Sequence, residues 1–156
     1  MRKRVRKKIS RYWHWYGVKV LYECIISGVP DPETIDENFP SDDKMFEESI
    51  LLIKAPSIDL ANILGEQEAK KQQHDYLNPY GEKVEWKFVE LIHCVDLSVK
   101  KIQIGTEVYA RFLIVPPDIP TEEVISHYYP ETVVEELIDK NFTQRNKDWG
   151  TRPDAT

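Results

Sequence analysis

Between Tyr16 and Ile26 the chain alternates with a period of two. Tyr16, Val18, Val20, Tyr22, Cys24 and Ile26 occupy even positions, with Lys19 and Glu23 among the residues between them. Successive side chains of a strand point to opposite faces, so this pattern specifies a strand with one face in a core. The pattern returns at Val84, Trp86 and Phe88, separated by Glu85 and Lys87. Two such strands require a sheet whose apolar face is covered by another layer. After Phe88 the apolar phase changes to Val89, Leu91, Val95 and Leu97. A β-bulge near Phe88 to Glu90 accounts for that slip.

The remaining elements are set by turn and capping residues. "MFEESILLIKA" reads as a second strand ended by Pro56. Ser57 is placed to cap a helix over "IDLANILGEQEAKKQQ", with Ile58, Ala61 and Leu64 at helical spacing and Leu60 beside them. Lys70 and Lys71 suit the negative end of its dipole. Gly65 weakens the helix centre by about 1 kcal/mol relative to Ala. Asn78 to Glu82, with Pro79 and Gly81, joins a short strand to a long one. "EVYARFLIVPP" predicts a further strand, ended by Pro116 and Pro117. "PTEEVISHYY" and "PETVVEELIDKNF" predict helices; Pro130 and Glu131 suit a first turn. The expectation is an α+β fold in the order β-β-α-β-β-β-α-α. It has an antiparallel sheet of four to five strands, one helix on a face, and one or two C-terminal helices. A basic leader (1–12) precedes a single domain (13–142), and a polar tail (143–156) comes after it.

Charge is divided unevenly. Seven of the 21 basic residues are Arg2, Lys3, Arg4, Arg6, Lys7, Lys8 and Arg11, so the rest of the chain holds 14 bases against 27 acids, a charge of -13. A body that acidic repels phosphate backbones and suits basic partners. Nucleic acid contact is therefore expected through the arm alone, if the arm is more than a solvated leader. Within the loop 28–44, Asp31, Glu33, Asp36, Glu37, Asp42 and Asp43 stand among prolines with no base before Lys44. Such a loop is either a solvated insertion or an acidic docking surface. Trp13 and Trp15 have odd parity, opposite the core face, and either cover the second face of the sheet or anchor a partner.

No catalytic or metal motif stands out. Glycines are scattered singly, there is no Cys-x-x-Cys or His-x-x-x-His pair, and no Gly-x-Ser-x-Gly elbow occurs. No cofactor or metal is implied, and no catalytic residue is assigned. His93 and Cys94 are adjacent, so in a strand they face opposite sides and cannot act as a pair. Two cysteines exclude a disulfide framework. No apolar run approaches the length of roughly eighteen residues that a spanning helix needs. Lys19 and Glu23 interrupt the stretch that a signal peptide would need, which points to a cytoplasmic protein.

Several motifs resemble a bacterial domain-of-unknown-function family, number 4288. They are Trp15-Tyr16 in the first strand, Glu47-Glu48-Ser49 in the second, and the spaced set Tyr76, Asn78, Gly81, Val84, Trp86 and Phe88. The resemblance covers about residues 13–97. It implies a small α+β fold and carries no activity. The arm, the acidic loop and the C-terminal helices look like additions to it.

The leading functional expectation is a non-enzymatic acidic protein-binding module, such as an immunity-type inhibitor of a basic toxin nuclease. The loop carboxylates would steer the partner and Trp13 or Trp15 would anchor it. The alternatives are a nucleic-acid-binding accessory protein using Arg2 to Arg11, and a small enzyme with a dispersed site near His74 or His93.

Overall fold

A computed structural model describes residues 12–39 and 44–129. The described residues fall into two units, 12–36 with 44–111, and 37–39 with 112–129. The first unit holds the sheet. Its strands are β1 (His14–Ser27), β2 (Met45–Ala55), β3 (His74–Leu77) and β4 (Lys83–Asp96), with helix α1 (Ile58–Lys71) between β2 and β3. The order across the sheet is β2-β1-β4-β3, and every pairing is antiparallel. The second unit contains helix α2 (Thr121–Tyr128). The helix expected over "PETVVEELIDKNF" lies outside the described residues.

The expected alternation builds the core. Tyr16, Val18, Val20 and Tyr22 of β1, Ile53 and Ala55 of β2, and Val84 and Trp86 of β4 are all buried. The bulge expected near Phe88 to Glu90 is present, and a second one lies just beyond it. Leu21 faces Glu90 and Tyr22 faces Phe88, leaving Val89 unmatched; Lys19 faces His93 and Val20 faces Leu91, leaving Ile92 unmatched. Each unmatched residue reverses the parity of the strand residues after it. The core face of β4 therefore reads Val84, Trp86, Phe88, Leu91 and Cys94.

Helix α1 starts where the cap predicts. Ser57 Oγ accepts from the Leu60 N–H at 3.2 Å. Its buried stripe, however, is Ala61, Gly65 and Ala69 rather than Ile58, Ala61 and Leu64. Ile58 is exposed. The cause is contact distance: a Cβ at Gly65 would sit 2.8 Å from Val18 Cγ1. Small residues four apart let the helix backbone descend onto the strand, where the Tyr22 hydroxyl reaches the Ala69 carbonyl at 3.1 Å. Larger side chains on that stripe would hold the layers apart.

The further strand expected over "EVYARFLIVPP" is not formed. In the first unit the chain leaves β4, with the Leu97 N–H donating to the Trp15 carbonyl at 3.0 Å. It turns at Gln103–Thr106, with Gly105 at φ 83°. It then returns across the second face of the sheet, where the Val108 carbonyl lies directly against Gly17. A segment crossing a face cannot pair along an edge, which is why its strand-like residues form no ladder. Residues 112–115 belong to the second unit.

Candidate functional site

Two places gather polar side chains from separate parts of the first unit. The first lies at the end of β1 where the acidic loop begins. Pro79 and Gly81 shape the β3–β4 turn, with the Gly81 N–H donating to the Asn78 carbonyl at 3.0 Å and Gly81 at φ 79°. Asn78 Oδ1 accepts from the N–H groups of Tyr80 (3.0 Å) and Glu82 (2.9 Å), so the turn is rigidly laced. Its Nδ2 donates to Glu82 Oε2 at 3.0 Å, which satisfies a buried carboxylate. Tyr80 then fastens the acidic loop. Its carbonyl accepts from the Asp31 N–H at 2.8 Å, and its hydroxyl donates to Asp36 Oδ1 at 2.9 Å. The Asp31 carbonyl accepts from the N–H and the hydroxyl of Thr34, and its Oδ1 accepts from the Glu33 N–H at 3.0 Å. Asp31, Glu33 and Asp36 are thus exposed on a loop held at several points.

The sequence-derived partner set is not one patch. Trp13 and Trp15 lie at the opposite end of β1. Ser27, at the loop end, is twelve residues beyond Trp15, about 40 Å along an extended strand. Trp15 is half-buried on the second face, with Lys54 Nζ 5.5 Å from its ring. Trp13 is 53% exposed. Glu37 is exposed in the second unit. Asp42 and Asp43 lie outside the described residues, as do Arg2, Lys3, Arg4, Arg6, Lys7, Lys8 and Arg11. Tyr80 was missed by sequence reasoning, which took the turn as connection only; an aromatic at the corner of a tight turn was the available signal.

The second place is on the far face of the sheet. Lys19 is 5% exposed there. A buried ammonium costs several kcal/mol unless it is paired. Glu48 Oε1 lies 2.5 Å from Lys19 Nζ, and the ring of Tyr109 covers that nitrogen at 4.5 Å. The Tyr109 hydroxyl sits 2.9 Å from His93 Nδ1. Four segments meet here, and together they hold the returning segment down. Sequence reasoning missed this cluster because odd-parity Lys19 reads as solvated. His93 faces this cluster while Cys94 faces Val18 on the core side, as strand geometry requires. Burial, and then the Asp96 carboxylate, raise the Cys94 thiol above its ordinary pKa. Cys24 and Cys94 are not joined in a disulfide.

Described residues of the first unit also line two open hollows. One of about 240 Å³ lies beside His74, among Asp75, Lys83, Glu85 and Lys87. The other, about 290 Å³, lies between Val95 and the Gln103–Glu107 turn. Ligand clefts typically hold roughly 300–1,000 Å³. Among the described residues no group of His, Cys, Asp and Glu could hold a metal ion, and no helix is long and apolar enough to cross a membrane.

A family model described as "Domain of unknown function (DUF4288)" matches residues 15–110, which is most of the chain and nearly the whole of the first unit. The chain belongs to the DUF4288 family. No curated protein and no solved structure matches it. The matched span ends at Ala110, so the DUF4288 domain includes the returning segment with Tyr109 and runs across the acidic loop. Residues 1–14 and 111–156, α2 among them, lie outside it. In this DUF4288 domain the Glu-Glu-Ser stretch has structural work: Glu48 pairs with buried Lys19, and Ser49 Oγ donates to Glu47 Oε1 at 2.6 Å. In the longer motif, Asn78 and Gly81 build the turn, Val84 and Trp86 fill the core, and Phe88 meets Tyr22 edge to face with centroids 6.2 Å apart.

Proposed function

We propose that this protein is a non-enzymatic protein-binding module. In our reading it is an immunity-type inhibitor whose acidic loop engages a basic partner such as a toxin nuclease. The observation that carries the reading is the anchoring of Asp31 and Asp36 by Tyr80. A docking loop held before its partner arrives loses less conformational entropy on binding than a free one. The Glu33 N–H engages Oδ1 of Asp31, and the other Asp31 oxygen and the exposed Glu33 carboxylate can meet guanidinium or ammonium groups. The -13 charge outside the basic leader adds long-range attraction to a cationic surface.

The test is capture of partners by the full chain from lysate of its native host, with and without nuclease treatment. The expected result is a stoichiometric basic protein that survives nuclease and elutes at high salt. Its capture should fail for a chain carrying Asp31→Lys and Glu33→Lys. Capture unchanged by that charge reversal would overturn the reading. Recovery that is nuclease-sensitive and lost on removing residues 1–11 would assign binding to the basic arm instead.

A further inference from the structure

The two edges of the sheet are built differently. β3 is a four-residue edge. β2 runs for eleven residues with unbroken register against β1, without proline or glycine, and no other described strand lies along its outer side. Long, unbroken edges of this kind invite strand addition unless they are blunted or used. The far face of β2 also carries a half-exposed apolar stripe: Phe46 (48%), Ile50 (41%) and Leu52 (40%). Glu48 and Lys54 lie on that same face, since they stand opposite Leu21 and Trp15 of β1.

We propose that β2 pairs antiparallel with β2 of a second copy of this chain, about a twofold axis at Leu51, joining two sheets into one. The partner is identified by self-complementarity. A twofold axis normal to the sheet sets one residue opposite its own copy, and that choice fixes every other pair. Centring on Leu51 places Glu48 opposite Lys54 of the second copy, and Ile50 opposite its Leu52. On the far face each charge of the central stretch then meets its opposite and Ile50 meets Leu52, twice over; on the other face Leu51 meets its own copy, Ser49 meets Ile53 and Glu47 meets Ala55. Centring on Ile50 sets Glu48 against Leu52, and centring on Ser49 sets Lys54 against Lys44. Directly opposed opposite charges and apolar pairs favour a register, and like charges disfavour it. Glu48 can serve both neighbours, because Oε1 holds Lys19 and its side chain remains 56% exposed. This surface is independent of the acidic loop, and the inference stands or falls apart from the proposed function.

Sedimentation equilibrium of the full chain reads the outcome directly. The expected result is a reversible monomer–dimer equilibrium. Lys54→Glu sets two carboxylates against each other at both ends and should weaken the dimer by about tenfold. Mixing the Lys54→Glu chain with a Glu48→Lys chain should restore association as a heterodimer, which a folding defect would not do. Should Glu48→Lys unfold the protein by stripping Lys19 of its partner, cysteines test the same register. In a Cys24→Ser, Cys94→Ser background, Ile50→Cys and Leu52→Cys chains should cross-link to each other when mixed under mild oxidation. A chain that is monomeric throughout, a dimer indifferent to Lys54→Glu, or Ile50→Cys linking to itself instead would each overturn the proposal. So would a monomer whose β2 amides resist hydrogen exchange only while residues 1–11 are present.

Discussion

Gly17→Ala tests whether the returning segment is held by contact or merely drapes over the sheet. A methyl at Gly17 would overlap the Val108 carbonyl oxygen, with the carbonyl carbon at 3.0 Å and Leu97 Cδ2 at 3.6 Å. The obstacle is backbone, so no rotamer change relieves it. The segment must lift, and Tyr109 must lift with it. The losses are the Tyr109–His93 hydrogen bond at 2.9 Å, about 1 kcal/mol, and the cover of Lys19 by the ring at 4.5 Å, about 1–2 kcal/mol for a desolvated cation. Replacing a strand glycine by alanine returns about 0.5–1 kcal/mol. The expected net destabilisation is therefore about 1–2.5 kcal/mol, read from the urea midpoint at unchanged slope. A double-mutant cycle sharpens it: in a Tyr109→Ala background most of those contacts are already gone, so Gly17→Ala should cost much less there. If Gly17→Ala stabilises the protein, or if the two substitutions add independently, the reasoning is refuted.

Gly65→Ala is expected to destabilise despite better helix propensity. The propensity gain is about 1 kcal/mol, but a methyl 2.8 Å from Val18 Cγ1 and 3.3 Å from its Cβ overpacks a fully buried, stiff side chain, at a cost of about 1–3 kcal/mol; thermal unfolding beside Val18→Ala/Gly65→Ala would reveal the coupling. Stability should also fall in alkali. Burial raises the Tyr16 phenol and the Cys94 thiol above their ordinary values of 10.0 and 9.0, with Asp96 adding to both. The folded state then keeps protons that the unfolded chain releases, so this stability is intact below pH 9 and is lost as pH rises through 9 and 10. Urea midpoints measured across that range check it, and a midpoint that rises would contradict the assignment. Tyr80→Phe should leave global stability within about 1 kcal/mol while loosening the acidic loop, measured as faster hydrogen exchange at Asp31 and Thr34.

Strand phase was the most legible part of this sequence. Tyr16 to Tyr22 and Val84 to Phe88 declared their core face by period alone, and the apolar slip after Phe88 exposed the bulge. Periodicity is silent about structure beyond one element. Residues 107–111 carry strand-like residue types, yet pairing along an edge and crossing a face draw on the same residues. Helix α1 was misphased because hydrophobicity marks Ile58 and Leu64, while the contact is set by lack of bulk at Ala61, Gly65 and Ala69. The candidate site was legible as residues but not as a surface. Trp15 and Asp31 are near in sequence, and a fully extended strand is the conformation that separates sequence neighbours most.

Lys19 has a practical consequence. Every other lysine among the described residues is exposed, whereas the Lys19 amine is sealed beneath Tyr109. Acylating reagents will modify the exposed amines within the first exposure and reach this one only when the cover opens. The rate at which position 19 acquires the label, tracked by peptide mass mapping, is thus a built-in clock for the opening of that face. It requires no added probe and no change to the sequence.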